Sequence, residues 1–272
     1  MTHLPPSLSL PVATVQAPPE WQRIDFISDL HLDASEPATF EAWAQHMAHT
    51  PADALFVLGD LFEVWVGDDN PDRFAQQCMA VLKATAQRLP VYFMCGNRDF
   101  LVGTDFLNAT GLQGLQDPTV LDLGVTTDAK SMRILLSHGD ALCLDDHDYL
   151  AFRAQVRHPD WQAAFLAKPL AERQAYARSV RHQSEALKRR HTDYADVDTD
   201  AALAWLKTTD AHVLLHGHTH RPAVHDLGEG LSRWVLSDWH ADSQPPRLEV
   251  LSWLREEAHN TERGLRRLPL ST

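Results

Sequence analysis

The stretch HVLLHGHTH, residues 212–220, passes from an unbroken apolar run directly into His216, His218 and His220. A strand covered on both faces reads as such a run, and the switch to imidazole at its end puts metal-ligand chemistry where the chain leaves the sheet. The same pattern recurs upstream. RIDFIS (23–28) leads into Asp29 and His31, ALFVL (54–58) into Gly59 and Asp60, VYFMC (91–95) into Gly96, Asn97, Arg98 and Asp99, and RILLS (133–137) into His138, Gly139 and Asp140. RWVL (233–236) reads as a further strand, and Phe74, Cys78, Val81, Leu82 and Thr85 form one apolar stripe on a helix predicted over 72–88. Alternating strands and helices predict a layered α/β fold. In open α/β sheets ligands gather outside the carboxyl ends of the strands, so the five polar segments are expected on one rim.

The chain has 272 residues and a mass of 30.6 kDa, enough for one large domain carrying an insertion. A hydrophobic fraction of 44%, with 12 Gly and 16 Pro, excludes fibrous and low-complexity chains, and no apolar run approaches the ~18 residues of a membrane span. The net charge of −13 argues against a protein that grips nucleic acid with its whole surface, and no nucleic-acid partner is expected. Cys78, Cys95 and Cys143 are odd in number and lack CxxC spacing, which disfavours a disulfide framework or thiolate zinc site and points to a reducing, cytoplasmic compartment.

Residues 1–20 lack a basic start and are interrupted by Pro5, Pro6 and Pro11, so they read as a disordered arm, not a signal peptide. Residues 21–144 and 208–254 are expected to form two parts of one core, 255–272 a polar tail, and 145–207 a helical cap. Apolar positions of that insertion include Phe152, Val156, Trp161, Phe165, Leu166, Leu170 and Tyr176. From residue 150 to 191 it carries nine Lys/Arg against three acids, either a plain solvated face or a patch for an anionic ligand.

Asp, Asn and His without Cys make a mixed oxygen and nitrogen donor set suited to manganese, iron or zinc. Seven such donors exceed the needs of one ion. Two ions about 3.5–4 Å apart that share a carboxylate clamp the attacking and leaving oxygens of an in-line displacement at phosphorus. Asp60 is the expected bridge, because it follows a middle strand and Gly59 lets the backbone come close.

Asp29-x-His31, Gly59-Asp60, Gly96-Asn97, His138 and Gly217-His218-x-His220 resemble, in order, the metal motifs of calcineurin-like metallophosphoesterases across about residues 23–240. The resemblance implies a four-layer αββα sandwich. It implies one metal on Asp29, His31, Asp60 and His220 and a second on Asp60, Asn97, His138 and His218, as two Mn2+ per chain or other divalent transition metals. Many members have His after the Gly-Asn pair to protonate a leaving alkoxide; here Arg98 stands there. Guanidinium cannot serve as an acid near neutral pH, but it grips phosphate bidentately. That suffices when the leaving group is itself a phosphate, with a second pKa of ~6, so pyrophosphate cleavage is favoured over alkyl diesters.

GNRDF (96–100), SDLHL (28–32), HGD (138–140) followed by LDD (144–146), HGHTHRP (216–222) and SDWH (237–240) are similar to the subfamily that hydrolyses UDP-2,3-diacylglucosamine to lipid X and UMP in lipid A biosynthesis. This implies attack of metal-activated water on the α-phosphorus, with Asn97, Arg98 and His218 catalytic and with substrate contacts from Asn97, Arg98, Asp146, Ser184, Lys188 and His218. Lys188 and His191 stand where the subfamily has Asn and Lys, and Lys188 would compensate with its own charge. His240, beside Trp239, is left outside the metal set. The cap's cations would meet phosphates and headgroups and its apolar face the acyl chains, giving peripheral contact with the inner membrane and requiring no protein partner. Two other readings stay open: the same site working on a cyclic nucleotide, a dinucleoside polyphosphate or a simple UDP-sugar, and a binding protein that keeps only the fold.

Overall fold

The computed structural model describes residues 8, 11–69, 72–125, 131–188, 195–255 and 264–270, without the side chains of 125, 131 and 182–188. The chain runs through β1 (Ala13–Gln16), β2 (Arg23–Ile27), α1 (Pro37–His49), β3 (Ala54–Leu58), α2 (Arg73–Ala86), β4 (Val91–Met94), α3 (Thr104–Thr110) and β5 (Gln113–Leu115). Next come β6 (Thr119–Val125), β7 (Ser131–Leu136), a 3-10 turn at Asp140–Leu142, α4 (His147–Val156), α5 (Pro159–Leu166) and α6 (Leu170–Lys188). It ends with α7 (Thr199–Thr209), β8 (Val213–His216), β9 (Ala223–Gly228), β10 (Leu231–Val235), β11 (Glu249–Leu254) and β12 (Leu265–Pro269).

Two six-stranded sheets result, ordered β12-β11-β2-β3-β4-β5 and β1-β6-β7-β8-β10-β9. Alternation along each strand sends one set of side chains between the sheets and the other set outward. Phe26, Phe56, Leu58 and Met94 of one sheet meet Leu121, Ile134, Leu136, Val213 and Leu215 of the other in the central core. Outward, Ile27, Leu55, Val57 and Phe93 pack beneath Trp43, Met47, Cys78, Leu82 and Phe106 of α1, α2 and α3. On the opposite side Val120, Leu135 and Leu214 lie beneath Ala201, Ala202, Trp205 and Leu206 of α7. The architecture is therefore a four-layer αββα sandwich, and burial of both faces is why the central strands read as continuous apolar runs. Asp72 starts α2 by accepting the backbone N–H groups of Phe74 and Ala75 at 2.6 and 3.2 Å.

Several elements differ from the sequence expectation. Inside the segment read as a disordered arm, β1 pairs in parallel with β6 through Ala13–Gln16 against Thr119–Asp122; as a half-buried edge strand it carries Thr14 and Gln16 and lacks an apolar run. Inside the polar tail, β12 pairs antiparallel with β11, with Leu265 fully buried. Arg267 is retained there by donating to Glu249 Oε1 and to the carbonyls of Ala223 and Val235. α7, inside the range read as cap, belongs to the outer layer of the core.

The helices α4, α5 and α6 follow the 3-10 turn, and a buried carboxylate docks the first of them. Asp140 accepts from Tyr149 Oη and from Arg153 Nε at 2.8 Å, and Arg157 Nη2 donates to the Gly96 carbonyl at 2.7 Å. Burial alone would raise the Asp140 carboxyl, but Arg153, His138 and Arg157 outweigh it and hold it well below the usual carboxylate range. A depressed folded pKa means stabilisation that is complete above the unfolded value of about 3.9 and is lost as pH falls toward the folded one. Asp140→Asn is expected to cost about 3 kcal/mol in urea denaturation at pH 7. The difference from the parent should narrow below about pH 4; equal midpoints at pH 7 would disprove the docking role.

Candidate metal centre and adjoining groove

Both sheets present their strand ends to one rim. Asp29 lies two residues past β2, Asp60 two past β3, Asn97 three past β4, His138 two past β7, and His218 and His220 follow β8. Five of the seven expected ligands have φ in the left-handed region: Asp29 at 52°, His31 at 47°, Asp60 at 52°, His218 at 68° and His220 at 53°. Each such non-glycine conformation costs on the order of 1–3 kcal/mol, and strain of this kind clusters where function holds it. Among described residues the remaining cases are Asp210, which ends α7, and Glu229, in the turn between β9 and β10. Gly96 is required for close approach, because a Cβ there would strike the carboxylate and backbone nitrogen of Asp60.

The seven side chains named from sequence come together. Asp60 faces both ways, with Oδ2 3.8 Å from His31 Nε2 and Oδ1 3.6 Å from His138 Nε2. His31 Nε2 lies 3.2 Å from His220 Nε2, which is 3.3 Å from Asp29 Oδ1. Asn97 Oδ1 meets His138 Nε2 at 2.9 Å and His218 Nδ1 at 2.8 Å. Asp29 is fixed by Ser28 Oγ at 2.5 Å and by the backbone N–H of His218, and Asp60 accepts the backbone N–H of Arg98 at 2.8 Å. Ligand atoms of Asp29, His31 and His220, and likewise of Asp29, Asp60 and His138, lie within 4.8 Å of one another.

The donor chemistry fits divalent cations. His138 Nδ1 lies 2.9 Å from the Leu58 carbonyl, which only accepts, so the ring proton sits there and Nε2 turns a lone pair toward the Asn97 oxygen. Two acceptors at that distance need a positive charge, from a second ring proton or a metal ion. His31 Nε2 and His220 Nε2 converge beside Asp29, which puts two imidazole nitrogens and a carboxylate oxygen around one point. Electrostatics supply the pull. Burial disfavours charge on His138, yet Asp60, Asp29 and Asp140 raise it to about 9. His218, buried and beside His138, is pushed down to about 4.

An aromatic groove opens from this rim, lined at one end by Asn97 and Arg98 and farther along by Phe100, Trp161, Phe165 and Tyr176. Trp161 stacks on Phe165 at 4.8 Å, and Tyr176 meets Phe165 edge-on at 5.4 Å. Of the exposed large hydrophobic residues, Val64 (39%) and Tyr176 (40%) line the groove, and Leu166 (41%) adjoins Gly67 just past its Val66 wall. Arg98 points Nη1 to Glu63 at 3.6 Å, and its buried Nε has no hydrogen-bond partner. A guanidinium with unused donors at the junction of cage and groove suits a phosphoryl group.

Among the other expected contacts, Asp146 is exposed and serves as N-cap of α4, accepting from Tyr149 N at 3.1 Å. Ser184 and Lys188 fall on α6 with side chains outside the described residues, as does all of His191. His240 sits apart, 3.8 Å from Glu36. Sequence reasoning missed Tyr149, whose ring stacks over His218 at 5.8 Å, and Glu63, whose Oε2 faces His31 Nδ1 at 2.9 Å. Glu63 also draws Arg181 to 3.4 Å, and although burial opposes it, His31 and Arg98 bring its carboxyl down to about 2. Neither residue ends a strand, so nothing in local spacing marked them.

Fold and cage together define a metal-dependent phosphohydrolase: residues 22–222 match the family described as calcineurin-like phosphoesterase, and the chain belongs to that family. Within it the chain is 48% identical over 226 residues to the UDP-2,3-diacylglucosamine hydrolase of Chromobacterium violaceum, covering 80% of this chain and 90% of that protein. It is 45% identical over 240 residues to the protein of that name from Xanthomonas axonopodis pv. citri, covering 83% and 94%. With the one from Stenotrophomonas maltophilia it shares 41% over 242 residues, covering 84% and 95%.

Proposed function

We propose that the chain hydrolyses the pyrophosphate bond of UDP-2,3-diacylglucosamine at the α-phosphorus, releasing UMP and 2,3-diacylglucosamine 1-phosphate in lipid A biosynthesis. The observation that carries this reading is continuity: Asn97 and Arg98 belong both to the polar rim and to the lining of the aromatic groove, so one ligand can engage both. A diphosphate joined to two acyl chains has that shape and chemistry, and the relatives' names agree. Asp29, His31, Asp60 and His220 would hold one Mn2+, and Asp60, Asn97, His138 and His218 the other. Divalent cations so bound polarise phosphoryl oxygens and make water a competent nucleophile at neutral pH.

The residues supply the rest. Arg98 orients the diphosphate and balances charge as the bond from the α-phosphorus to the bridging oxygen breaks. The sugar phosphate leaves as a dianion, without a protonating side chain. The ring of Tyr149 over His218 and the docked α4 cover that side of the rim. No described helix is long and apolar enough to cross a membrane, so the contact with the inner-membrane surface would be peripheral, through Val64, Leu166, Tyr176 and the cap's cations.

The test compares kcat/KM, with manganese present, on UDP-2,3-diacylglucosamine, UDP-N-acetylglucosamine and a cyclic nucleotide. Burying about four methylenes contributes ~3 kcal/mol, so the acylated substrate should lead by about a hundredfold or more. Equal rates would remove the groove from the argument, and faster cyclic-nucleotide turnover would replace the proposed substrate.

A further inference from the structure

We propose that Arg173 is a positioning residue that pins α6 to the 63–69 segment and thereby sets the spacing of the groove for the apolar part of the substrate. Its guanidinium is only 2% exposed, although arginine is seldom buried without dedicated partners. Nε donates to the Lys168 carbonyl at 3.0 Å, Nη1 to the Val66 carbonyl at 2.6 Å and to Asp69 Oδ1 at 2.8 Å, and Nη2 to Asp69 Oδ2. Planar, forked donation of this kind fixes orientation as well as distance.

The bonds join the two walls of the groove. Trp65 and Val66 line it from one side, Tyr176, Ala177 and Val180 of α6 from the other, and Arg173 itself lies outside the lining. The 63–69 segment is also tied to the phosphate end, where Trp65 N donates to the Arg98 carbonyl at 3.1 Å. A second observation concerns Gly67: at φ 127° it passes so close to Arg173 Nη1 that a Cβ would collide with it. At the other end of the groove the two walls are also linked by Arg181 and Glu63 at 3.4 Å, whereas Arg173 grips Asp69 through both carboxylate oxygens and adds the Val66 carbonyl. Arg173 therefore supplies the buried, forked link that holds the walls in register.

This inference rests on the proposed acylated substrate, and its test separates the two. Asp69 is 64% exposed, so Asp69→Asn removes the charged partner without opening the core; Arg173→Lys is the second variant, keeping charge but not the fork. In the full-length, manganese-loaded protein, both should speed amide hydrogen exchange in 170–181 by about tenfold and raise KM for UDP-2,3-diacylglucosamine by about tenfold. kcat and the hydrolysis of bis(p-nitrophenyl) phosphate should stay within about twofold. Unchanged exchange in both variants, or faster exchange with unchanged KM, overturns the proposal. Should the parent protein not turn over the acylated nucleotide, the functional reading fails. The pin is then judged by exchange together with the affinity of cis-parinaric acid for the groove, which the variants should lower about tenfold and which equal affinities would refute.

Discussion

Asp60→Ala is expected to lower turnover by about a thousandfold or more, equivalent to ~4 kcal/mol of transition-state stabilisation. Asp60 is 2% exposed and turns its two oxygens toward histidines of different sheets, so both halves of the cage lose their shared anion together. Its Oδ1 also accepts the backbone N–H of Arg98, and alanine leaves that donor buried and unpaired beside the groove. Asp60→Asn keeps the shape and separates the effects. It should fold with a near-parental thermal midpoint, bind fewer than two manganese ions per chain by elemental analysis, and lower the His138 pKa from about 9, since Asp60 is the foremost of the charges that raise it. The pKa is read on the metal-stripped protein by NMR. Activity within tenfold of the parent in both variants would mean that Asp60 is not the shared ligand.

How much of this was legible beforehand depended on where each contact lies along the chain. RIDFI, ALFVL, VYFM and VLLH are buried on both faces, which wrote them as apolar runs, and the polar residues just after them became the rim. Chemistry at strand ends is local information. β1 and β12 were missed because an edge strand needs only one covered flank and tolerates Thr14, Gln16, Arg266 and Arg267. Glu63, Tyr149 and Arg173 were missed for another reason: their partners are set by the tertiary fold. The link from Arg173 to Asp69 spans 104 positions, and no periodicity announces a pair that distant. Asp140 was read only as part of a strand-end motif, yet the fold uses it to dock α4 through Tyr149 and Arg153.

Arg98 separates the proposed reaction from other chemistry on the same fold. It touches the groove, keeps a buried Nε without a partner, and is steadied by Glu63 without a close ion pair, so its donors are available to an anion. Arg98→Ala should cost about 10²–10³ in kcat/KM on UDP-2,3-diacylglucosamine, the range for loss of one preorganised charge-stabilising group. Arg98→Lys should recover only part of this, because a point charge does not reproduce the fork. Arg98→His gives the sharper result. An imidazole can protonate a departing alkoxide, a contribution of about 10²–10⁴ where the leaving group is poor, but offers little to a phosphate that leaves without a proton. The swap should therefore depress pyrophosphate hydrolysis while sparing or improving an alkyl phosphodiester, reversing the preference. If Arg98→His weakened both substrates equally, Arg98 would be acting on binding alone and the leaving group would not explain why arginine stands there.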